Sequence, residues 1–103
     1  MLTTLGNALK GIEELPWQHA FYLPVRSDWS ENSECGIFDP DDVDDDAETP
    51  AAAEERGLKY ALDVATVRDV FLNLREQGAV PELPLLFEAV CHYYDHDAFL
   101  VIR

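Results

Sequence analysis

Positive charge is what this sequence most lacks. Seven Lys and Arg stand against 21 Asp and Glu, leaving a formal net charge of −14. Nucleic-acid and anionic-membrane binding both need Lys and Arg to meet phosphate, so neither partner is expected. Cysteine is nearly absent as well. Cys35 and Cys91 belong to no CxxC pair and no Cys/His array, which excludes a disulfide framework and a zinc finger and implies two free thiols in a reducing cytoplasm. The opening MLTTLGNALKGIEEL has neither the basic start nor the unbroken apolar core of a signal peptide. No apolar run approaches the ~18 residues of a membrane span. The glycines at positions 6, 11, 36, 57 and 78 are scattered, so no loop is built to cradle phosphate. Ser27, Ser30 and Ser33 lie in a polar loop without a nucleophile elbow. An enzyme is therefore not expected, and no cofactor is implied.

What is present suits one domain. A chain of 103 residues that is 48% hydrophobic can bury roughly two thirds of its unfolded surface, enough for one core. Leu2, Leu5, Leu9, Ile12 and Leu15 recur at steps of three and four and predict a helix from about Thr3 to Glu14, capped by Thr3 or Thr4 and stopped by Pro16. Trp17 to Val25, Glu34 to Asp39 and Leu58 to Asp63 read as strands. Thr66 and Asp69 resemble a capping box for a second helix carrying Val67, Val70, Phe71 and Leu74 inward and ending at Gly78. A third helix is expected from Leu83 to about Tyr94. Ala98 to Ile102 should be a last strand or an extended segment on the core. The predicted class is α+β, a small, mostly antiparallel sheet of three to four strands with three helices packed on it.

The charge is unevenly placed. From Asp28 to Glu55 there are 12 acidic residues and no Lys or Arg. Such a block repels itself and stays solvated unless a cationic partner covers it, and a mobile acidic loop is expected at about residues 40–55. Calcium is an obvious first thought, but a loop numbered from Asp42 through Asp44 and Asp46 puts Ala47 where an EF-hand needs Gly and Ala53 where it needs Glu. Glu88, His92 and His96 are four apart and would share one helix face, a weak candidate metal set that is also what a solvated face displays. Recognition remains. An aromatic anchor ringed by carboxylates suits a tight interface with a basic protein, the ring contributing buried area and the charges steering encounter. The expected partner surface is Asp28, Trp29, Glu31, Glu34, Asp39, Asp41, Asp42, Asp44, Asp45 and Asp46. Trp29 should be exposed among its polar neighbours, whereas Trp17 and Tyr22 should be core.

Two stretches, GLKYALDVATVRDV (Gly57 to Val70) and YYDHDAF (Tyr93 to Phe99), with LPW and YLP between Leu15 and Pro24, resemble a family of small acidic bacterial proteins without an assigned activity. In size and charge the chain is also similar to the immunity proteins of polymorphic and contact-dependent growth-inhibition toxins. That resemblance implies a cytoplasmic monomer or weak homodimer that binds and neutralises a basic toxin domain, often a nuclease. It rests on kind rather than motif, so it assigns no residue a role. An acidic nucleic-acid mimic that blocks a host defence enzyme is the alternative, and a small metal-binding enzyme a more distant one.

Overall fold

The computed structural model describes residues 1–25, 28–43 and 49–102. Four strands, β1 (Leu2–Thr4), β2 (Ala20–Pro24), β3 (Glu34–Phe38) and β4 (Leu58–Asp63), form one sheet in the order β1-β3-β2-β4 with every neighbouring pair antiparallel. Among the described residues four helices accompany it: α1 (Leu5–Lys10), α2 (Ala51–Glu54), α3 (Val64–Glu76) and α4 (Leu83–His96). The fold is a small α+β domain, as the hydrophobic patterning implies.

Alternation along β2 divides the interior in two. Phe21 and Leu23 point toward the main core, where Leu5, Leu9 and Ile12, Val67, Val70 and Leu74 of α3, and Leu86, Ala89 and Val90 of α4 converge. Ala20 and Tyr22 point to the opposite face and meet Phe38, Leu58 and Ala53. Tyr22 is the centre of this second cluster, with Phe38 and Tyr60 each edge-on to it at 5.9 Å between ring centroids. Gly36, opposite Tyr22 across the ladder, makes the arrangement possible: a Cβ there would run into the Phe38 ring. Gly36→Ala should therefore destabilise the domain by about 1–3 kcal/mol through overpacking. Urea unfolding checks this, and Phe38→Leu in the same chain should recover most of the loss.

Several elements differ from the sequence reading for identifiable reasons. The first helix is cut short. Leu2–Thr4 pairs with Glu34–Gly36 instead, α1 begins after Thr4, whose Oγ1 accepts from the Asn7 amide at 3.2 Å, and Gly11 ends it before a short 3-10 turn at Ile12–Glu14. The strand around Trp17 starts only at Ala20, because Pro16 to His19 forms a turn closed by the His19 amide on the Pro16 carbonyl at 3.1 Å. Helix α3 begins at Val64 with Asp63 as its cap residue, not at Thr66. The expected acidic loop at 40–55 contains α2, whose Ala53 is fully buried against the second cluster. Residues 98–102 form no strand. The Gln77 amide side chain donates to the Leu100 carbonyl at 2.9 Å and accepts from the Ile102 amide at 2.8 Å, so one side chain supplies the pairing a neighbouring strand would have given, while Leu100 and Ile102 lean on the core. Among the described residues no helix is long and apolar enough to cross a membrane.

Candidate functional site

Strand β3 decides where the acidic segment goes. Glu34 opens it and Asp39 follows its last residue, and five steps along a strand span roughly 17 Å. The acidic residues before and after β3 therefore end up at opposite ends of the sheet.

At the first end, the chain from Asp28 to Glu34 is built into the scaffold. Carbonyls of Glu31 and Ser33 accept from the amides of Gly6 and Leu5, each at 2.8 Å, filling the orphan donors at the start of α1. Glu34 is paired with Arg56. Trp29 is 8% exposed and belongs to the main core. Its Nε1 donates to the Pro24 carbonyl at 2.8 Å, and its ring lies 4.7 Å from that of Tyr94. The expectation of an exposed Trp29 is thus corrected: its polar neighbours, Asp28 and Ser30, face solvent while the indole turns inward against a helix 65 residues further on.

At the other end a groove of about 520 Å³ opens. Asp39, Asp41 and Asp42 line it together with the apolar Ile37, Phe38 and Pro50, and with Met1 and His19. The turn is fixed locally: the Asp41 amide donates to Asp39 Oδ1 at 2.9 Å and the Asp42 amide to the Asp39 carbonyl at 3.1 Å. Asp41 and Asp42 are exposed, and among the described residues none of the three aspartates makes an ion pair. The Met1 amine, also in the lining, donates to the Ile37 carbonyl at 2.9 Å, and burial pushes its pKa down. Trp17, expected in the core, is 64% exposed in the turn two residues before His19. The two tryptophans have exchanged their expected places, and the exposed one lies in the Pro16–His19 turn, whose last residue lines the groove. Asp44, Asp45 and Asp46 lie outside the described residues.

The second-face aromatics border the same end of the sheet. Burial, then the charges of Asp39, Asp41 and Asp63, push the Tyr22 phenol up. Partial burial, the hydrogen bond to Asp63 and the charges of Asp63 and Tyr22 push Tyr60 up to about 12. A phenol is charged when deprotonated, so a raised folded-state pKa is stability that is complete below the ordinary value near 10 and is lost as the pH climbs through 12. Phenolate absorbance should accordingly rise later in the folded chain than in urea, and Asp63→Asn should return part of the delayed signal toward pH 10.

Other chemistry finds less support. His92 and His96 stack, with ring centroids 4.5 Å apart, but the described residues contain no group of three or more His, Cys, Asp or Glu placed to hold a metal ion. Glu88 does not complete a ligand set with the two histidines, a correction to the helix-face spacing: residues two turns apart share a face without converging on one point. Cys35 is buried beside β1 and burial pushes its thiol up to about 12, the opposite of what a nucleophile needs.

A family model described as a domain of unknown function, DUF7716, matches residues 2–102, and the chain belongs to that family. No curated protein and no solved structure matches it.

Proposed function

We propose that this DUF7716 chain is a cytoplasmic immunity or antitoxin-type protein that binds a basic toxin domain, most simply a nuclease, and neutralises it by occupying the cleft where phosphate would lie. It acts by binding and not by catalysis. The supporting observation is the groove end of the sheet, where Asp39, Asp41 and Asp42 line one depression together with Ile37, Phe38 and Pro50, without ion pairs among the described residues, in a chain of net charge −14, with Trp17 exposed in the turn that ends at the groove-lining His19. Carboxylates held in a turn can stand in for phosphates toward Lys and Arg of the partner, while the indole supplies the buried area that charges alone do not.

Glu34 is set apart from this role by its pairing with Arg56, and Trp29 by its burial. Asp28 and Glu31 sit roughly a strand's length away, so they contribute to long-range attraction rather than to contact. The test is direct. The purified chain, mixed with the basic nuclease domain encoded beside it, should abolish nuclease activity at about one equivalent. Undiminished activity with excess chain would end this reading.

A further inference from the structure

The last turns of α4 hold a feature that the binding role leaves unused. We propose that His92 and His96 form a two-point site for one divalent transition-metal ion, with Cu²⁺ held most tightly.

The chain has three histidines, and two of them stand four apart on α4 with ring centroids 4.5 Å from one another and planes tilted by 40°. Residues at that spacing share one helix face. An ion holds each imidazole nitrogen at about 2.0–2.1 Å, so the two nitrogens must stand roughly 3 Å apart, a separation that rings this close reach by side-chain rotation alone. His96 is exposed and His92 half-buried, which leaves the pair open to solvent. Spacing would mean little at a fraying helix end, but this end is held. Helix α4 continues through His96, and Asp97 closes it in the left-handed region at φ 53°, its amide donating to the Tyr93 carbonyl at 2.7 Å. The Tyr93 ring packs against the core and lies 5.5 Å from that of Phe99, so the chain on both sides of His96 is tied down.

Charge at this position favours a cation. The C-terminal end of a helix carries partial negative charge, Asp95 and Asp97 flank His96, and the whole chain stands at −14. Ligand type then chooses the ion. Calcium and magnesium take oxygen ligands, whereas imidazole suits zinc, nickel and copper, and affinity among divalent ions peaks at copper. Because the described residues offer no group of three ligands, the site is open, and its remaining positions fall to water or to a side chain of another molecule. The tetragonal geometry of copper accepts two adjacent nitrogens with water in the other places, while structural zinc sites take four protein ligands. The order Cu²⁺, then Ni²⁺, then Zn²⁺ follows.

The experiment titrates the isotope-labelled full chain separately with Cu²⁺, Ni²⁺, Zn²⁺ and Ca²⁺, following backbone amides by NMR. Substoichiometric Cu²⁺ broadens amides near it, so Glu88 to Phe99 should fade first. Zn²⁺ should shift the same amides in a saturable manner, and Ca²⁺ should leave them in place. His92→Gln and His96→Gln should each weaken Cu²⁺ by about tenfold or more, since removing a group that merely orients a ligand already costs roughly 10- to 100-fold. Glu88→Gln should change the affinity by no more than about twofold, as a screened charge outside the ligand set would. Electron paramagnetic resonance of the chain with one equivalent of Cu²⁺ should show two coordinating nitrogens, and one in either histidine variant. Circular dichroism should show the helix content of both variants unchanged. Broadening centred on Met1, His19 and Asp39 to Asp42, a single coordinating nitrogen in the unaltered chain, or affinity that survives both histidine replacements would overturn the proposal.

Discussion

Trp29→Ala should cost the fold about 3–5 kcal/mol, the range for deleting a large aromatic from a core, while Trp17→Ala should change stability by no more than about 0.5 kcal/mol, as at an ordinary surface site. Both replacements remove an indole, and only position distinguishes them. At Trp29 the deletion opens a cavity in the main cluster, removes the ring packed on Tyr94 and leaves the Pro24 carbonyl without its Nε1 donor. A domain of this size has roughly 5–15 kcal/mol in total, so the first variant should be partly unfolded near body temperature. Trp17 has little to lose within the chain because most of its ring is already in water. Its cost should appear in the complex, where deleting a central aromatic anchor typically removes about 2 kcal/mol or more of binding, some thirtyfold in affinity. Urea unfolding and titration with the basic domain, run on both variants, separate the two roles. A stable Trp29→Ala chain that binds poorly, beside an unstable Trp17→Ala, would reverse the assignment.

Neutralising the groove should act on encounter more than on residence. With Asp39, Asp41 and Asp42 all replaced by Asn, association with the basic domain should slow by about tenfold or more at low salt, since electrostatic steering raises on-rates by 10–1,000-fold. The deficit should shrink toward 0.5 M salt, where screening cuts the reach of each charge well below the ~10 Å it has at 0.1 M. The fold should suffer little, because the side chains of Asp41 and Asp42 are exposed, the asparagine replacing Asp39 keeps an Oδ1 that accepts from the backbone amide at position 41, and the loss of three charges lessens repulsion within a chain of net charge −14. The paired change Asp28→Asn with Glu31→Gln, at the far end of the sheet, should slow association by a smaller factor at the same salt. Equal effects from the two sets would mean that overall charge, not the groove, guides the partner. Stopped-flow association at several ionic strengths distinguishes these outcomes.

Much of the scaffold is legible in the amino acids because its signals are local. Leu58–Asp63 alternates, and Val67, Val70 and Leu74 repeat at helical spacing, so β4 and α3 announce themselves. Pro84 in a first turn marks the start of α4. Strand β1 is illegible for the same reason: three residues carry no period, and Leu2 falls in phase with the leucines of α1, so the leucine stripe runs through a strand, a helix and a 3-10 turn. Helix α2 is hidden by the charges on either side of Ala51–Glu54, and only burial of Ala53 against Tyr22's face explains it.

The site divides along the same line. That Asp41 and Asp42 are exposed and bear charge is written in their neighbours. That they separate from Asp28, Glu31 and Glu34 depends on the direction of β3, and that Trp29 turns inward depends on Tyr94, which no local pattern connects to it. Met1, His19 and Tyr22 join the groove end only through strand pairing. The alternation of β2 could have placed Tyr22 opposite Phe21, but not beside Asp39.

Everything functional turns on which end of the sheet meets the partner. Amide shift mapping of the labelled chain on addition of the basic domain reads that out residue by residue. Perturbations should concentrate at Trp17 to Ala20 and at Ile37 to Asp42, with Asn32 to Cys35 silent. Shifts centred instead on Asp28 to Glu34, or on the exposed faces of α3 and α4, would contradict the account.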